Sequence, residues 1–322
     1  MSGHITAGDV SPLFAKRESS YGVTPSGDWD YYADIKGDGG NFTPTDNPQQ
    51  YVSWRGGNRS YAQGNLLFQN VEAGYTAIWE TGGRREAELL EYALGSPTGT
   101  TPLGTLPSRT SAIWAKTVAH GAKDYDRLIY PGCKTDRLVI KADQPGGIVE
   151  FQETVMAKDV YYGVDTTSTV PTAPDTRFAV QWMGGIGFDV DRTFYPQNFE
   201  LSINNNLARV KGLYTAEGEG VRAATVGLVE GRREMELSFD LWMEDLEEYY
   251  AGNGVQSGVA LSETLSLNIG NQWGYYKLTC VGNRLLDGNN HALIQDKQLA
   301  TLRFRVASIA VEYVNDSPST QA

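Results

Sequence analysis

The chain has few of the residues that carry metal, disulfide or redox chemistry. Its 322 residues include two cysteines and three histidines. Cys133 and Cys280 are far apart, so they form neither a disulfide framework nor the close-spaced ligand pair of a zinc site. We expect both to be reduced and half-buried in strands. His4, His120 and His291 each stand alone, which argues against a metalloenzyme.

Motifs for phosphate, dinucleotide and serine-hydrolase sites are also missing. The sequence has no Walker-type loop, no Gly-x-Gly-x-x-Gly turn after a strand and no Gly-x-Ser-x-Gly elbow. We therefore predict no catalytic residue, no cofactor-binding residue and no metal ligand. The chain is not expected to be an enzyme.

Positive charge and long apolar runs are scarce as well. Lys plus Arg number 27 against 39 Asp plus Glu, a net charge of −12, which argues against a surface that grips nucleic acid. An acidic surface would instead repel the phosphates of passing DNA. No run reaches the ~18 apolar residues of a spanning helix, and the start Met1–Thr6 lacks a signal-peptide pattern. We expect no membrane insertion and a cytosol-like compartment.

Alternation of apolar and polar residues is the strongest pattern present. From Met235 to Met243 every second residue is apolar, which predicts a half-buried antiparallel strand. The same pattern recurs at Phe199–Ile203, Leu265–Ile269 and Leu302–Val306, and more weakly at Ala73–Trp79, Leu138–Ile140 and Ile148–Phe151. After Val306 the apolar phase shifts to Ile309, which indicates a bulge or a bend. The fold class predicted is mostly β.

Helical periodicity is convincing in two segments. Arg84–Gly95 and Glu244–Gly252 are rich in helix formers and end at a glycine suited to a C-cap. Each follows a strand that contains a tryptophan, Trp79 or Trp242. An ungapped alignment also pairs a hairpin at 136–151 with one at 263–278. These matches predict a tandem duplication.

Three polar segments separate the pieces. Asp28–Gln50, Ser96–Thr110 and Gly163–Asp175 are rich in Gly, Pro, Asp, Asn, Ser or Thr, and we interpret them as long loops. The third is the predicted linker, about 163–175, between an N-terminal domain at 1–165 and a C-terminal domain at 176–322. The first two loops are expected to order on assembly, and the tail Asn315–Ala322 to be mobile.

Other candidate sites favour structural interpretations. Asp34–Asn41 lacks the ligand spacing of a calcium loop, so a turn is expected. The acidic residues of Glu244–Glu248 point in different directions on a helix, which favours a solvated face over a glycosidase carboxylate pair. Arg84–Glu86 and Arg232–Glu234 are expected to be surface ion pairs. A set of aromatics is interpreted as a subunit contact, with sugar stacking as the alternative: Trp29, Tyr31, Tyr32, Tyr51 and Trp54.

Three motifs in a fixed order resemble a known family. Lys16–Pro25 contains the element E-x-x-Y-G-x-x-P, formed by Glu18, Tyr21, Gly22 and Pro25, which resembles the N-terminal signature of tail tube proteins of long-tailed bacteriophages. Phe199–Leu207 adds a strand followed by an Asn-Asn pair. Gly231–Phe239 adds a Gly-x-Arg turn into a long strand, followed by the acidic helix. The resemblance extends over nearly the whole chain.

The resemblance implies a fold and an assembly. Each of two tandem tube domains would be a β-sandwich or half-barrel with a short flanking helix, and strands of neighbouring subunits would join into a β-barrel that lines a tube. Six such domains usually form a ring, so a chain with two domains would form a trimeric ring. Stacked rings would form the hollow tail of a virion, assembled in the host cytoplasm and traversed by genomic DNA without specific binding.

The resemblance also implies partners and leaves alternatives. Expected partners are other copies of the chain, the tape measure protein, and tail terminator or baseplate proteins. Another tube-fold tail component, such as a terminator, a hub or the inner tube of a contractile tail, is an alternative. A carbohydrate-binding or carbohydrate-cleaving β-sandwich is the alternative outside the virion.

Overall fold

The computed structural model describes a protein built almost entirely of antiparallel strands. The residues that it describes are 11–55, 58–81, 85–95, 106–120, 123–159, 161–163, 178–188, 192–216, 220–242, 263–271, 274–294 and 297–314. They contain nineteen strands and one helix. The predicted fold class, mostly β, is confirmed.

The first half of the chain contributes eight strands and the helix. In order these are β1 (Ser11–Arg17), β2 (Asp30–Arg55), β3 (Asn58–Ile78), β4 (Glu80–Thr81), α1 (Arg85–Leu94), β5 (Arg109–His120), β6 (Lys123–Ala142), β7 (Glu150–Ala157) and β8 (Tyr161–Gly163).

The second half contributes eleven strands. They are β9 (Phe178–Ala179), β10 (Gln181–Phe188), β11 (Arg192–Phe194), β12 (Phe199–Asn204), β13 (Ala208–Ala216), β14 (Gly220–Val229), β15 (Glu234–Trp242), β16 (Glu263–Asn271), β17 (Gly274–Ile294), β18 (Lys297–Arg305) and β19 (Ser308–Val314).

The alternating segments form the strands predicted for them. Along β15 every second side chain, from Met235 to Leu241, is buried, and β12 repeats the pattern from Phe199 to Ile203. The phase shift after Val306 is a bend at which β18 ends and β19 begins. β18 pairs with β15 and β17, whereas β19 pairs with another part of β17. The bend therefore moves the chain from one sheet layer to the other.

The two halves use the same pattern of strand pairing. In the first half β1 pairs with β5, β5 with β6, β6 with β7 and β8, β7 with β3, and β3 with β2. In the second half β10 pairs with β16, β16 with β17, β17 with β18 and β19, β18 with β15, and β15 with β12. The two sets match strand for strand in chain order. The β1–β2 pairing has no counterpart among the described residues.

This correspondence changes the predicted repeat in one respect. β6 and β7 correspond to β17 and β18, while β16 corresponds to β5. The ungapped alignment of 136–151 with 263–278 placed β6 on β16, and that assignment is wrong. Both hairpins alternate in the same phase, so side-chain pattern alone does not distinguish them.

An antiparallel pairing of β6 with β12 joins the two halves into one sheet. β6 of the first half pairs with β12 of the second, from Ala142 opposite Phe199 to Arg137 opposite Asn204. β12 continues the sheet to β15 and β18 on its other side. The sheet order β18-β15-β12-β6-β7-β3 therefore crosses from one half to the other without a break in hydrogen bonding.

The core lies between this sheet, the second layer β10-β16-β17-β19 and α1. Trp182 of β10 packs edge-on against Phe199 of β12, with ring centroids 5.1 Å apart. Trp79 packs against Tyr276 of β17 at 5.8 Å. One cluster of buried apolar side chains runs through both halves.

The predicted first helix is confirmed and the second lies outside the described residues. α1 ends at Leu94, and Gly95 follows with φ 85°, where its N–H donates to the carbonyl of Glu91 at 2.7 Å. This is the left-handed C-cap that glycine accommodates without strain. Glu244–Gly252 lies outside the described part of the chain, as do most of the linker and the tail.

Two predicted loops are partly strand. Asp28–Gln50 was expected to be a loop with a turn at Asp34–Asn41, but β2 starts at Asp30 and pairs with β3 as a long hairpin. The register of this pairing shifts between Ile35 and Gly40, which indicates a β-bulge or irregularity in the Gly- and Asp-rich segment. Pro44 and Pro48 lie in the part of β2 that, within one chain, pairs with β3 and not with β1. The end of the Ser96–Thr110 segment, from Arg109, belongs to β5, and 96–105 are outside the described residues.

Candidate functional site

The three motifs of the sequence lie around β6 and the end of α1. β1 leads into the N-terminal motif, β12 into the Asn-Asn pair, and the Gly-x-Arg turn leads into β15. β12 is hydrogen bonded to both β6 and β15, so the second and third motifs meet at adjacent strand ends. The contacts below fix the path of the chain and connect its halves.

Glu18 of the N-terminal motif fastens three segments together. One carboxylate oxygen accepts hydrogen bonds from the Gly22 N–H at 2.8 Å and the Ser108 hydroxyl at 2.6 Å. The other accepts from the Thr110 hydroxyl at 2.6 Å and the Gly132 N–H at 2.8 Å. The side chain is buried, and an ionised carboxylate is the strongest acceptor available for such donors. This explains why the motif contains a glutamate.

Tyr21 and Gly22 of the same motif pack under Lys158. Gly22 has φ 70° and Gly132 has φ 68°, and an added Cβ at either position would collide with the Lys158 side chain, at 2.4 Å and 2.7 Å respectively. Both conformations therefore need glycine. Ammonium groups of Lys134 and Lys158 lie 5.7 Å and 5.9 Å from the centroid of the Tyr21 ring. Burial raises the pKa of the Tyr21 phenol.

Asn205 connects the second half of the chain to the end of α1. Its side-chain NH₂ donates to the carbonyls of Ala93 and Thr135, each at 3.0 Å, and its side-chain oxygen accepts from Arg233 Nε at 2.8 Å. Arg233 Nη1 donates to the carbonyl of Leu94 at 2.9 Å. Two motifs of the second half thereby satisfy backbone carbonyls that the last turn of a helix leaves without partners.

Asn206 and Gly231 form the tight part of this contact. Asn206 has φ 49°, a conformation that asparagine tolerates better than most residues, and its side-chain NH₂ donates to the Arg232 carbonyl at 2.7 Å. A Cβ on Gly231 would lie 2.4 Å from the Asn206 carbonyl oxygen. Only glycine fits there without a backbone shift. The Asn-Asn pair and the Gly-x-Arg turn thus meet at one close backbone contact.

A buried ion pair lies beneath α1 and was not predicted. Arg109 Nη2 donates to Glu153 Oε2 at 2.8 Å, and both side chains have 0% exposure. Glu153 also accepts from the hydroxyls of Tyr32, Tyr75 and Thr135. The guanidinium carbon lies 4.5 Å from the Tyr32 ring centroid and 4.8 Å from that of Tyr92.

The environment of this pair shifts two pKa values. Burial alone would lower the pKa of Arg109, but the charge of Glu153 and the neighbouring tyrosines raise it well above its ordinary value. Burial and Glu153 together raise the pKa of Tyr75. The arginine is therefore charged and the phenol neutral throughout the physiological range. The one sequence signal was Glu153 itself, an acidic residue at an inward position of β7 between Phe151 and Val155.

The opposite face of the joined sheet is polar and carries both signs of charge. Directly opposed positions on five strands give the row Arg303, Ser238, Glu200, Lys141 and Glu150. Arg303 also donates to Glu236 at 2.6 Å and 3.0 Å. The acidic net charge of the chain is therefore not reflected in this row, in which Arg303 and Lys141 stand beside the carboxylates of Glu200 and Glu150.

Several predicted candidates have structural roles. Trp29 is buried under Lys16, whose ammonium lies 4.5 Å from the ring centroid. Tyr32 is buried beside Arg109. Neither is an exposed anchor for a subunit or a sugar, so that interpretation is wrong for these two aromatics. Arg233, which was expected in a surface ion pair, instead donates a hydrogen bond to the Leu94 carbonyl at the end of α1. The side chains of Tyr31, Tyr51 and Trp54 and the residues of Glu244–Glu248 are not described.

The cysteines are strand residues, as predicted, but they are fully buried rather than half-buried, and neither forms a disulfide. Burial raises the pKa of Cys133 to about 11 and that of Cys280 to about 12. Among the described residues no group of three His, Cys, Asp or Glu could hold a metal ion. In the same part of the chain no helix is long and apolar enough to cross a membrane.

Comparison with known proteins identifies the family. Residues 8–306 match the model of the phage tail tube protein family. The chain belongs to this family. A search of curated proteins gives no match to the chain. All three motifs lie within the matched region, and in this tail tube protein their residues serve to anchor segments to one another. The family is one of structural proteins of the virion tail.

Proposed function

We propose that the chain is the major subunit of a phage tail tube, polymerising into stacked rings around a lumen through which the genome leaves. The observation that carries this proposal is the matched pairing of the two halves together with the β6–β12 junction. One chain already contains two tube units joined edge to edge. Three chains with six units would close a ring by head-to-tail contacts.

The polar face of the joined sheet is the face proposed to line the lumen. The apolar face is covered by the second sheet layer and α1, whereas the row from Arg303 to Glu150 has no layer over it among the described residues. DNA phosphates would meet both carboxylates and cations on this face, so that attraction to the cations is offset by neighbouring acids. Such a surface permits sliding without strong binding.

The proposed partners follow from this position. Other copies of the chain form the ring and the stack, a tape measure protein occupies the lumen during assembly, and terminator and baseplate proteins meet the two ends. The location is the virion tail after assembly in the host cytoplasm. A domain boundary at about 163–175 belongs to the same proposal.

Negative-stain electron microscopy of the purified protein tests the proposal. We expect long hollow polymers of regularly spaced rings. Single isolated rings would favour a terminator or hub, and a monomer that binds a glycan array would favour the carbohydrate alternative. The burial of Trp29 and Tyr32 removes two of the aromatics on which that alternative depended.

A further inference from the structure

The junction between β6 and β12 shows how one tube unit joins the next. β12 pairs with β6 along Phe199–Asn204 on one edge and with β15 on the other. β6 meets β12 with the segment 137–142, which also pairs with β7. The junction thus joins β6 of the first half, which pairs with β7 on its other edge, to β12 of the second half, which pairs with β15 on its other edge.

The matched pairing identifies the counterparts of these two strands. β17 corresponds to β6, because each pairs in turn with the preceding strand, the following strand and a short last strand. β2 corresponds to β12, because β2 pairs with β3, which pairs with β7, just as β12 pairs with β15, which pairs with β18. A second junction of the same kind would therefore join β17 to β2.

Both counterpart edges are open within the described part of one chain. Residues 284–294 of β17 pair with β18 on one edge only, because β16 and β19 pair with the preceding part of β17. Residues 40–45 of β2 pair with β3 only, since β1 covers Asp30–Ile35. An open strand edge presents backbone donors and acceptors to another chain.

The two open segments are the outermost parts of one run of pairings. This run goes from β17 through β18, β15, β12, β6, β7 and β3 to β2, while other residues of β17 and β2 pair with β16 and β1. The β17 edge of one copy and the β2 edge of the next can therefore meet without disturbing any pairing in either chain. Within a single chain, the open edges of β17 and β2 could pair with each other only if the sheet closed on itself.

We infer that residues 285–294 of β17 pair antiparallel with residues 40–45 of β2 in a second copy of the chain, repeating between chains the β6–β12 junction within the chain. This inference rests on the proposed tube assembly and names the surfaces that close its ring. A ring then alternates internal β6–β12 junctions with external β17–β2 junctions.

Cysteine cross-linking in assembled protein tests the pairing. Asn41→Cys is combined in turn with Gly288→Cys, Asn290→Cys or Ala292→Cys, assembled under reducing conditions and then oxidised. Directly opposed antiparallel residues have Cα atoms about 4.5–5.5 Å apart, within reach of a disulfide. We expect one combination to give covalent dimers and trimers on a denaturing gel. Each single variant should give neither species.

Two matched variants serve as controls. Glu200→Cys with Lys141→Cys, directly opposed across the internal junction, should form a disulfide within one chain and leave its mass unchanged. Asn41→Cys with Ala310→Cys places the second thiol on the exposed edge strand β19. Its counterpart β8 takes no part in the internal junction, so this pair should not cross-link.

The outcomes separate the inference from the proposed function. Tubes without any β17–β2 cross-link, or with a β19–β2 cross-link, overturn the inference and leave the tube proposal standing. Failure of the unmodified protein to polymerise overturns both. If cysteine variants fail to assemble, hydrogen exchange of the unmodified protein decides: protection of 40–45 and 285–294 on polymerisation supports the pairing, and unchanged exchange in both segments contradicts it.

Discussion

The Arg109–Glu153 pair gives the sharpest test of what holds the first half together. Glu153→Gln keeps the shape of the side chain and removes its charge. The guanidinium of Arg109 would remain at 0% exposure between Tyr32 and Tyr92, with no carboxylate 2.8 Å away. Removing one partner of a buried ion pair costs about 3–5 kcal/mol of unfolding free energy.

The opposite single variant is expected to cost less. Arg109→Met leaves the carboxylate of Glu153 buried, but the hydroxyls of Tyr32, Tyr75 and Thr135 still donate to it. Hydrogen bonds to a charged group contribute about 1.5–3 kcal/mol each, so the charge remains partly compensated. The double variant Arg109→Met with Glu153→Gln leaves no buried charge, and its cost should fall below the sum of the singles by about 1–3 kcal/mol.

Urea unfolding of the purified protein, followed by circular dichroism, measures these differences. With a slope of about 3 kcal/mol per M, Glu153→Gln should lower the midpoint by about 1 M or more. Arg303→Met is the matched control: its partner is also a glutamate, but Arg303 is 56% exposed, so the loss should stay below about 1 kcal/mol. Equal losses in Glu153→Gln and Arg303→Met, or additive costs in the double variant, would show that the buried charge of Arg109 does not set the cost.

Two further substitutions and one labelling experiment test the described contacts. Glu18→Gln removes one of two acceptor oxygens and should cost about 2–4 kcal/mol, with faster amide exchange at Gly22 or Gly132; unchanged exchange at both would exclude the anchoring role. Asn205→Ala leaves the Ala93 and Thr135 carbonyls without a donor and should cost about 2–3 kcal/mol in urea unfolding, whereas a loss below about 0.5 kcal/mol would show that these bonds do not connect the halves. Cys133 and Cys280 should resist Ellman's reagent at pH 8 until the protein unfolds. Because folding raises their pKa values from 9.0 to about 11 and 12, their contribution to stability is complete below pH 9 and is lost as pH rises through 11 to 12; rapid labelling of the folded protein would contradict their burial.

The strands of the second half could be predicted from the sequence because their alternation is regular. β12 and β15 have one fully apolar and one polar face, so a half-buried antiparallel position is the natural outcome. α1 was predicted for a similar reason, with its glycine C-cap. In these segments local pattern and tertiary packing agree.

The hairpin of β2 and β3 could not be predicted in the same way. Gly, Asp, Asn and Pro between 34 and 48 indicate turns, yet long-range pairing with β3 keeps the chain extended. Pairs at the end of the hairpin away from its turn, such as Phe42 with Ala73, are far apart in sequence and leave no local signal, and the same holds for the junction of β6 with β12. The Arg109–Glu153 pair joins β5 and β7 and likewise depends on the tertiary fold.

The order of the three motifs can be read from the sequence, but the contacts that require their residues cannot. Glu18, Asn205 and Gly231 each make a contact that few other residues could make. The Glu18 carboxylate accepts four hydrogen bonds, the Asn205 amide bonds two carbonyls and an arginine, and Gly231 approaches a neighbouring backbone too closely for a Cβ. Sequence shows these residues at their positions but not the segments that they join.

Ring symmetry in the assembled tube tests the proposed trimeric ring and its contacts between chains together. A helical reconstruction by electron cryomicroscopy counts the chains in each ring and traces the strands between them. We expect three chains per ring with a pseudo-sixfold wall, in which β17 of each chain pairs with β2 of the next. Six chains per ring, or a wall in which β17 and β2 remain unpaired between chains, would contradict it.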